Sequence, residues 1–140
     1  MDNPSKITEG GIEYSLGSFN GKCVRYDFPK ILTYLEAKGK LLFGEKFSIQ
    51  KEDQDILLKL CSYFINDQKN CKTYNIDLNK GILLSGPVGC GKTSLMKLLR
   101  HLVPHQRPYE MIPCRNVSFG FNTVDSKVIE AYGVHDFFCF

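Results

Sequence analysis

The sequence predicts an α/β fold with a mainly parallel sheet, preceded by a small helical N-terminal segment. Two short apolar runs, 81–85 and 137–140, lack the polar–apolar alternation of a half-exposed strand and are typical of strands covered on both faces. Between and before these runs, apolar residues recur every three or four positions, which is typical of amphipathic helices. Strands that alternate with helices favour parallel pairing.

Composition limits the class of protein. The 140 residues are 43% hydrophobic and 24% charged, as in a folded globular domain. The net charge of +3 comes from scattered residues, which favours a solvated surface over a nucleic-acid footprint. The six cysteines form no Cys-x-x-Cys pair, and no apolar run approaches the roughly 18 residues of a membrane span. These observations predict a cytoplasmic protein without a membrane partner, a disulfide framework or a zinc site.

The N-terminal segment is predicted to be a leader followed by a short helix, together spanning residues 1–45. Residues 1–22 are rich in Gly, Asn and Ser, which indicates loose packing. Asp27 and Pro29 mark a helix start, and Gly39 offers a stop. The remaining residues, 46–140, are assigned to a second domain.

The second domain is predicted to open with an amphipathic helix within 51–67. An apolar stripe at this spacing is typical of core packing, and a partner-binding face is the alternative. The polar residues 68–80 are predicted to form a loop that leads into the strand 81–85.

The C-terminal third is predicted to complete the α/β alternation. A helix after residue 93 must end at Pro104. Residues 111–121 are predicted to form a strand, and a helix is predicted to run from Asn122 to Gly133. The apolar run 137–140 is the last strand of this prediction.

One segment carries the chemistry. Residues 86–93 read GPVGCGKT, which matches the pattern Gly-x-x-x-x-Gly-Lys-Ser/Thr between a predicted strand and a predicted helix. The glycines allow the loop to curl so that backbone N–H groups face phosphate oxygens, and the helix N-terminus adds a partial positive charge. A glycine-rich turn that only caps a helix does not explain a lysine followed by a threonine. The predicted fold class is therefore a P-loop nucleoside-triphosphatase fold, whose sheet is incomplete within this chain, with ATP and Mg²⁺ as cofactors.

The predicted site follows from this pattern. Lys92 is the candidate catalytic residue because its ammonium can reach the β and γ phosphates, and the Thr93 hydroxyl is the candidate Mg²⁺ ligand. His101 and His105 are interpreted as surface histidines, since Pro104 breaks the helix that would align them on a metal. The predicted cofactor-binding residues are Gly86, Pro87, Val88, Gly89, Cys90, Gly91, Lys92, Thr93 and Ser94.

Residues 43–140 resemble the AAA+ ATPases, and among them the bacterial helicase-loader and transposition-helper group, the DnaC-like proteins. Three features carry the resemblance. A helix enters from Phe47-Ser48-Ile49, the segment 80–94 reads KGILLSGPVGCGKTS, and residues 128–133 precede an aromatic strand.

This resemblance implies an ATPase that remodels a DNA-associated protein complex in replication or transposition. It also implies an oligomer and a helicase- or transposase-type protein partner, and it leaves DNA open as a second partner. By this resemblance Phe47 and Ile49 would contact the adenine, and packing in an apolar core explains these two residues as well. In the family, acidic residues follow the strand that 137–140 resembles, so we expect this chain to be the N-terminal part of the domain, truncated before those acids.

Two other functions stay open. A P-loop kinase has the same motif, although such proteins generally place it close to the N-terminus and here 80 residues precede it. A nucleotide-dependent binding module that holds ATP without hydrolysing it is the second alternative.

Overall fold

The computed structural model describes residues 3–103, 108–124, 130, 138 and 139. The chain forms two compact units, Met1–His105 and Gln106–Phe140. This division concerns compactness and does not test the predicted boundary after residue 45, which stays a prediction. The described residues contain no helix that is long and apolar enough to cross a membrane.

Two β-hairpins open the first unit. Strand β1 (Lys6–Glu9) pairs antiparallel with β2 (Ile12–Ser15), and β3 (Gly17–Phe19) pairs antiparallel with β4 (Val24–Tyr26). The prediction of a loosely packed leader over 1–22 is therefore wrong. The physical reason is the Gly10-Gly11 turn, in which both residues have positive φ and so match the twist of a tight hairpin.

Helix α1 (Phe28–Phe43) confirms the predicted N-terminal helix but is longer than expected. Pro29 lies in its first turn, where its missing N–H costs no hydrogen bond. The helix continues through Gly39, which is buried, and ends at Gly44, whose φ is 101°. The predicted helix stop at Gly39 is therefore wrong, because this glycine allows close packing inside the helix.

Helix α2 (Gln54–Phe64) confirms the amphipathic helix predicted within 51–67, and a 3₁₀ turn (Lys51–Asp53) precedes it. The predicted loop over 68–80 is wrong in part, because α3 (Gln68–Thr73) lies there. Asp67 starts α3 by accepting a hydrogen bond from the backbone N–H of Asn70 at 3.0 Å. This capping bond explains how so polar a segment becomes helical.

The core of the first unit lies where α1, α2 and a fourth helix, α4 (Lys92–Leu99), meet under the first hairpin. The apolar stripe of α2 is core, as predicted, since Leu57 is fully buried. Tyr34 of α1 donates a hydrogen bond of 3.5 Å to the backbone carbonyl of His101 just beyond α4. The buried cluster comprises Ile7, Leu16, Ile31, Tyr34, Leu35, Leu57, Leu60, Cys61, Leu98, Leu99, Leu102 and Val103.

The segment 81–85 is not the buried strand that the sequence predicts. It has no regular secondary structure, and Ile82 and Leu83 are 39% and 92% exposed. A strand needs a partner for its backbone groups, and the strands described in this unit pair only within the two hairpins. The P-loop α/β fold class therefore stays a prediction.

In the second unit, β5 (Glu110–Met111) pairs parallel with β6 (Phe138–Cys139). The predicted final strand over 137–140 is confirmed at these two residues. This pair is parallel, whereas both hairpins of the first unit are antiparallel, so the mainly parallel sheet stays a prediction.

Helix α5 (Cys114–Val124) replaces most of the predicted strand over 111–121, which is wrong beyond Met111. The turn that starts it closes with a hydrogen bond of 2.8 Å from the Asn116 N–H to the Pro113 carbonyl. Proline favours the start of a helix, and this explains why the chain turns into a helix at Pro113 instead of continuing as the predicted strand. Asn122 lies inside α5 and is not the predicted N-cap. Most of the helix predicted up to residue 133, together with Pro104 and His105, lies outside the described residues.

The pH dependence of stability follows from His101, which is half-buried rather than a surface histidine. Burial lowers its pKa below the ordinary 6.5, and the positive charges of Lys38 and Arg100 lower it further, against an opposing contribution from Glu9. Folding therefore favours the neutral imidazole. The stability that the neutral His101 side chain contributes is present above its pKa in the unfolded chain. It is lost as the pH falls through its pKa in the folded protein.

We predict that the His101→Gln variant loses less stability on acidification than the wild type does. The wild-type free energy of unfolding should fall more between about pH 7.5 and 5.5 than that of the variant, because only the wild type takes up a proton at this position on unfolding. Urea denaturation at both pH values measures this. Equal losses in the two proteins would contradict the assignment.

Candidate phosphate-binding loop and adjoining cavity

The loop 86–91 enters α4 through two glycines that adopt left-handed backbone conformations. Gly89 has φ of 83° and Gly91, the N-cap of α4, has φ of 86°, values that residues with side chains rarely adopt. Gly86 faces the loop interior closely enough that a Cβ there would lie 3.2 Å from the Cys90 sulfur. The loop therefore curls tightly at the positions where the motif places glycine.

Lys92 folds back into this curl. Its Nζ donates hydrogen bonds to the carbonyl oxygens of Gly86 at 2.8 Å and Pro87 at 2.6 Å, and it lies 3.5 Å from the Cys90 sulfur. These acceptors are neutral carbonyls, whereas a phosphate oxygen carries a negative charge that attracts the ammonium more strongly. The structure thus holds the candidate cation at the loop, where a phosphate can take over its hydrogen bonds.

The N-terminus of α4 is chemically open. No acidic residue occupies its first turn, so the positive end of the helix is not neutralised there. Thr93 is exposed, and its hydroxyl makes no hydrogen bond to the part of the chain that the structure describes. Val88 is fully exposed at the tip of the loop.

The loop fits Mg²⁺ only together with a phosphate ligand. Within residues 3–103 and the other described positions, no three His, Cys, Asp or Glu side chains converge on a point that could hold a metal. Mg²⁺ characteristically binds through one or two protein oxygens and substrate phosphates, and it keeps several waters. Thr93 is the residue that would supply such an oxygen here.

A cavity of about 350 Å³ adjoins the loop. One wall comes from the segment between α1 and α2, and the other from the loop and α4. Phe47 and Ile49 lie in the first wall, so they line the same cavity as residues of the loop. Their contact with a base stays a prediction. The lining residues are Phe47, Ser48, Ile49, Asp53, Gly89, Cys90, Gly91, Ser94, Leu95 and Leu98.

Phe47 is held in its wall by packing against α1. Its ring lies 5.2 Å from the ring of Phe43, and Gly39 leaves the space that the Phe47 ring fills. A side chain at Gly39 would overlap this ring. The buried glycine in α1 thus positions one wall of the cavity.

Asp53 is the cavity residue that sequence reasoning missed. It lies 33 residues before Gly86, in a charged Lys-Glu-Asp triplet that looks like an ordinary acidic helix start. Nothing in the local pattern distinguishes it from Glu52. Only the folded structure shows that it lines the same cavity as the loop.

The comparisons with known proteins give one partial similarity. No protein-family model matches the chain, and no solved structure matches it. The chain is 39% identical over 61 residues to a protein of Methanosarcina mazei described as "Putative ABC transporter ATP-binding protein". The alignment covers 39% of this chain and 10% of the relative, so the chain matches about a tenth of that relative's length. The comparisons do not support the DnaC-like group.

We predict that Gly39→Ala destabilises the chain although alanine is the better helix former. Helix propensity favours alanine by about 1 kcal/mol, whereas forcing a methyl group into a packed site costs about 1 to 3 kcal/mol. The free energy of unfolding, measured in urea, should fall. Lys40→Ala, at an exposed neighbour in α1, is the control and should change stability little. A more stable Gly39→Ala variant would show that Phe47 does not depend on this contact.

Proposed function

We propose that the chain binds ATP with Mg²⁺ through residues 86–94. The observation that carries this proposal is the position of Lys92, whose ammonium lies inside a glycine-built loop at the start of a helix. The sequence pattern of residues 86–93 and this position of the ammonium both support the proposal. The partial similarity to a protein described as ATP-binding supports the same class, a P-loop ATPase.

The two halves of a nucleotide suit the two halves of the site. The triphosphate is negatively charged and matches the loop N–H groups, the helix N-terminus and Lys92. Thr93 would hold Mg²⁺, which supplies a bridge between phosphate oxygens when bound. The base is flat and mostly apolar, and the cavity presents Phe47 and Ile49 to it. A volume of about 350 Å³ lies within the range of small-molecule sites.

The finer proposal is an ATPase that remodels a DNA-associated protein complex as an oligomer in the cytoplasm. The family resemblance of residues 43–140 is its support, and it brings with it a helicase- or transposase-type partner. A non-hydrolysing binding module uses the same loop and cavity. Phosphate release from Mg·ATP under saturating conditions separates the two functions, since only the ATPase turns nucleotide over.

We predict that Lys92→Ala weakens ATP binding about ten- to hundredfold, because a hydrogen bond to a charged group contributes about 1.5 to 3 kcal/mol. Titration calorimetry with Mg·ATP measures the change. Lys97→Ala removes the same charge from an exposed position of α4 and serves as the control. If both variants bind ATP as the wild type does, the loop is not the phosphate site.

We predict that Thr93→Val weakens the binding of Mg·ATP more than the binding of metal-free ATP. Valine keeps the volume of threonine and removes the hydroxyl that would face Mg²⁺. Parallel titrations with Mg²⁺ and with a chelator give the two affinities. Thr93→Ser retains the hydroxyl and should bind Mg·ATP nearly as the wild type does. Equal losses with and without metal would rule out a metal-directed role for Thr93.

A further inference from the structure

The carboxylate of Asp53 has no partner in the described part of the chain. Its backbone N–H donates to the Gln50 carbonyl at 3.2 Å, but its side chain neither caps α2 nor makes a hydrogen bond or ion pair. Two acids close by in the sequence are already engaged. Asp55 pairs with Lys59 at 2.6 Å, and Asp67 caps α3. Asp53 therefore retains its full capacity to accept hydrogen bonds.

Asp53 is also the single charged residue among those that line the cavity in the described structure. Its neighbours there are apolar side chains, two serines and the loop. An ionised carboxylate accepts hydrogen bonds and donates none. A ligand in this cavity that presents a hydrogen-bond donor can therefore bind this carboxylate directly, in place of water.

We propose that Asp53 accepts a hydrogen bond from the nucleoside part of the bound nucleotide and thereby selects nucleosides that present a donor there. This inference rests on the proposed function, because the loop fixes the phosphates and so directs the nucleoside into the cavity. The carboxylate repels phosphate, which disfavours the reverse orientation. The donors that adenosine offers are its two ribose hydroxyls and its exocyclic amine.

The contact is a specificity determinant of moderate strength. Asp53 is exposed, so water competes for its oxygens and reduces the gain below that of a buried charged hydrogen bond. We expect an analogue that lacks the relevant donor to bind about three- to tenfold more weakly than ATP. The same loss should accompany removal of the carboxylate.

A ligand–protein double-mutant cycle tests this inference. Calorimetry gives the affinities of the wild type and Asp53→Ala for ATP, 2′-deoxy-ATP, 3′-deoxy-ATP and the purine riboside triphosphate that lacks the 6-amino group. In the wild type, one analogue should bind more weakly than ATP. In Asp53→Ala, that analogue and ATP should bind equally, and the analogue concerned identifies the donor.

Two variants make the result specific. Glu52→Ala removes the same charge from the adjacent residue, which does not line the cavity, and should preserve the discrimination between ATP and the analogues. Asp53→Asn retains one acceptor oxygen and should show part of the wild-type discrimination between ATP and the analogue. If Asp53→Ala changes the affinity for all four ligands by one common factor, the inference is wrong while ATP binding stands. If the wild type binds none of them, the proposed function fails, and this inference fails with it.

Discussion

The arrangement of the site depends on the burial of one end of α4. Leu98 and Leu99 lie fully in the core against α1 and α2, while the other end of the same short helix carries Lys92. A helix of eight residues is marginal in isolation, and tertiary packing of its apolar residues supplies most of its stability. The orientation of the loop is therefore set by contacts made at the opposite end of the helix.

The same core brings the second wall of the cavity to the loop. The chain between α1 and α2 has little secondary structure of its own, and its position is set by Phe47, which packs where α1 has Gly39. Asp53 follows on the 3₁₀ turn that begins α2. Two segments about 40 residues apart in sequence thus meet because three helices share one apolar cluster.

Features that depend on local pattern could be predicted from the sequence. The motif in 86–93, the apolar face of α2 and the proline start of α1 each follow from a few neighbouring residues. The errors arose where one residue type serves two purposes. Gly39 permits close packing instead of ending a helix, and Pro113 directly precedes a helix instead of lying within the predicted strand 111–121.

Other features depend on partners that are distant in sequence. The apolar composition of 81–85 predicts a buried strand, but burial also requires a neighbouring strand, and the pattern itself does not supply one. Asp53 carries no local signal because Glu52 has the same charge and the same turn. The role proposed for Asp53 depends on its position in the wall of the cavity, and that position is decided only when the helices pack.

The exposure of Leu83 has a consequence for the behaviour of the protein in solution. An exposed apolar stretch whose backbone groups lack hydrogen-bond partners within the described chain is a template onto which an extended segment can add. Residues 81–85 combine apolar side chains with a lack of charge, the composition that favours such addition. Lys80, directly before them, supplies the kind of charge that limits it. We therefore expect association at high protein concentration to involve this stretch, which immediately precedes the loop, so that solubility and the candidate site depend on neighbouring residues.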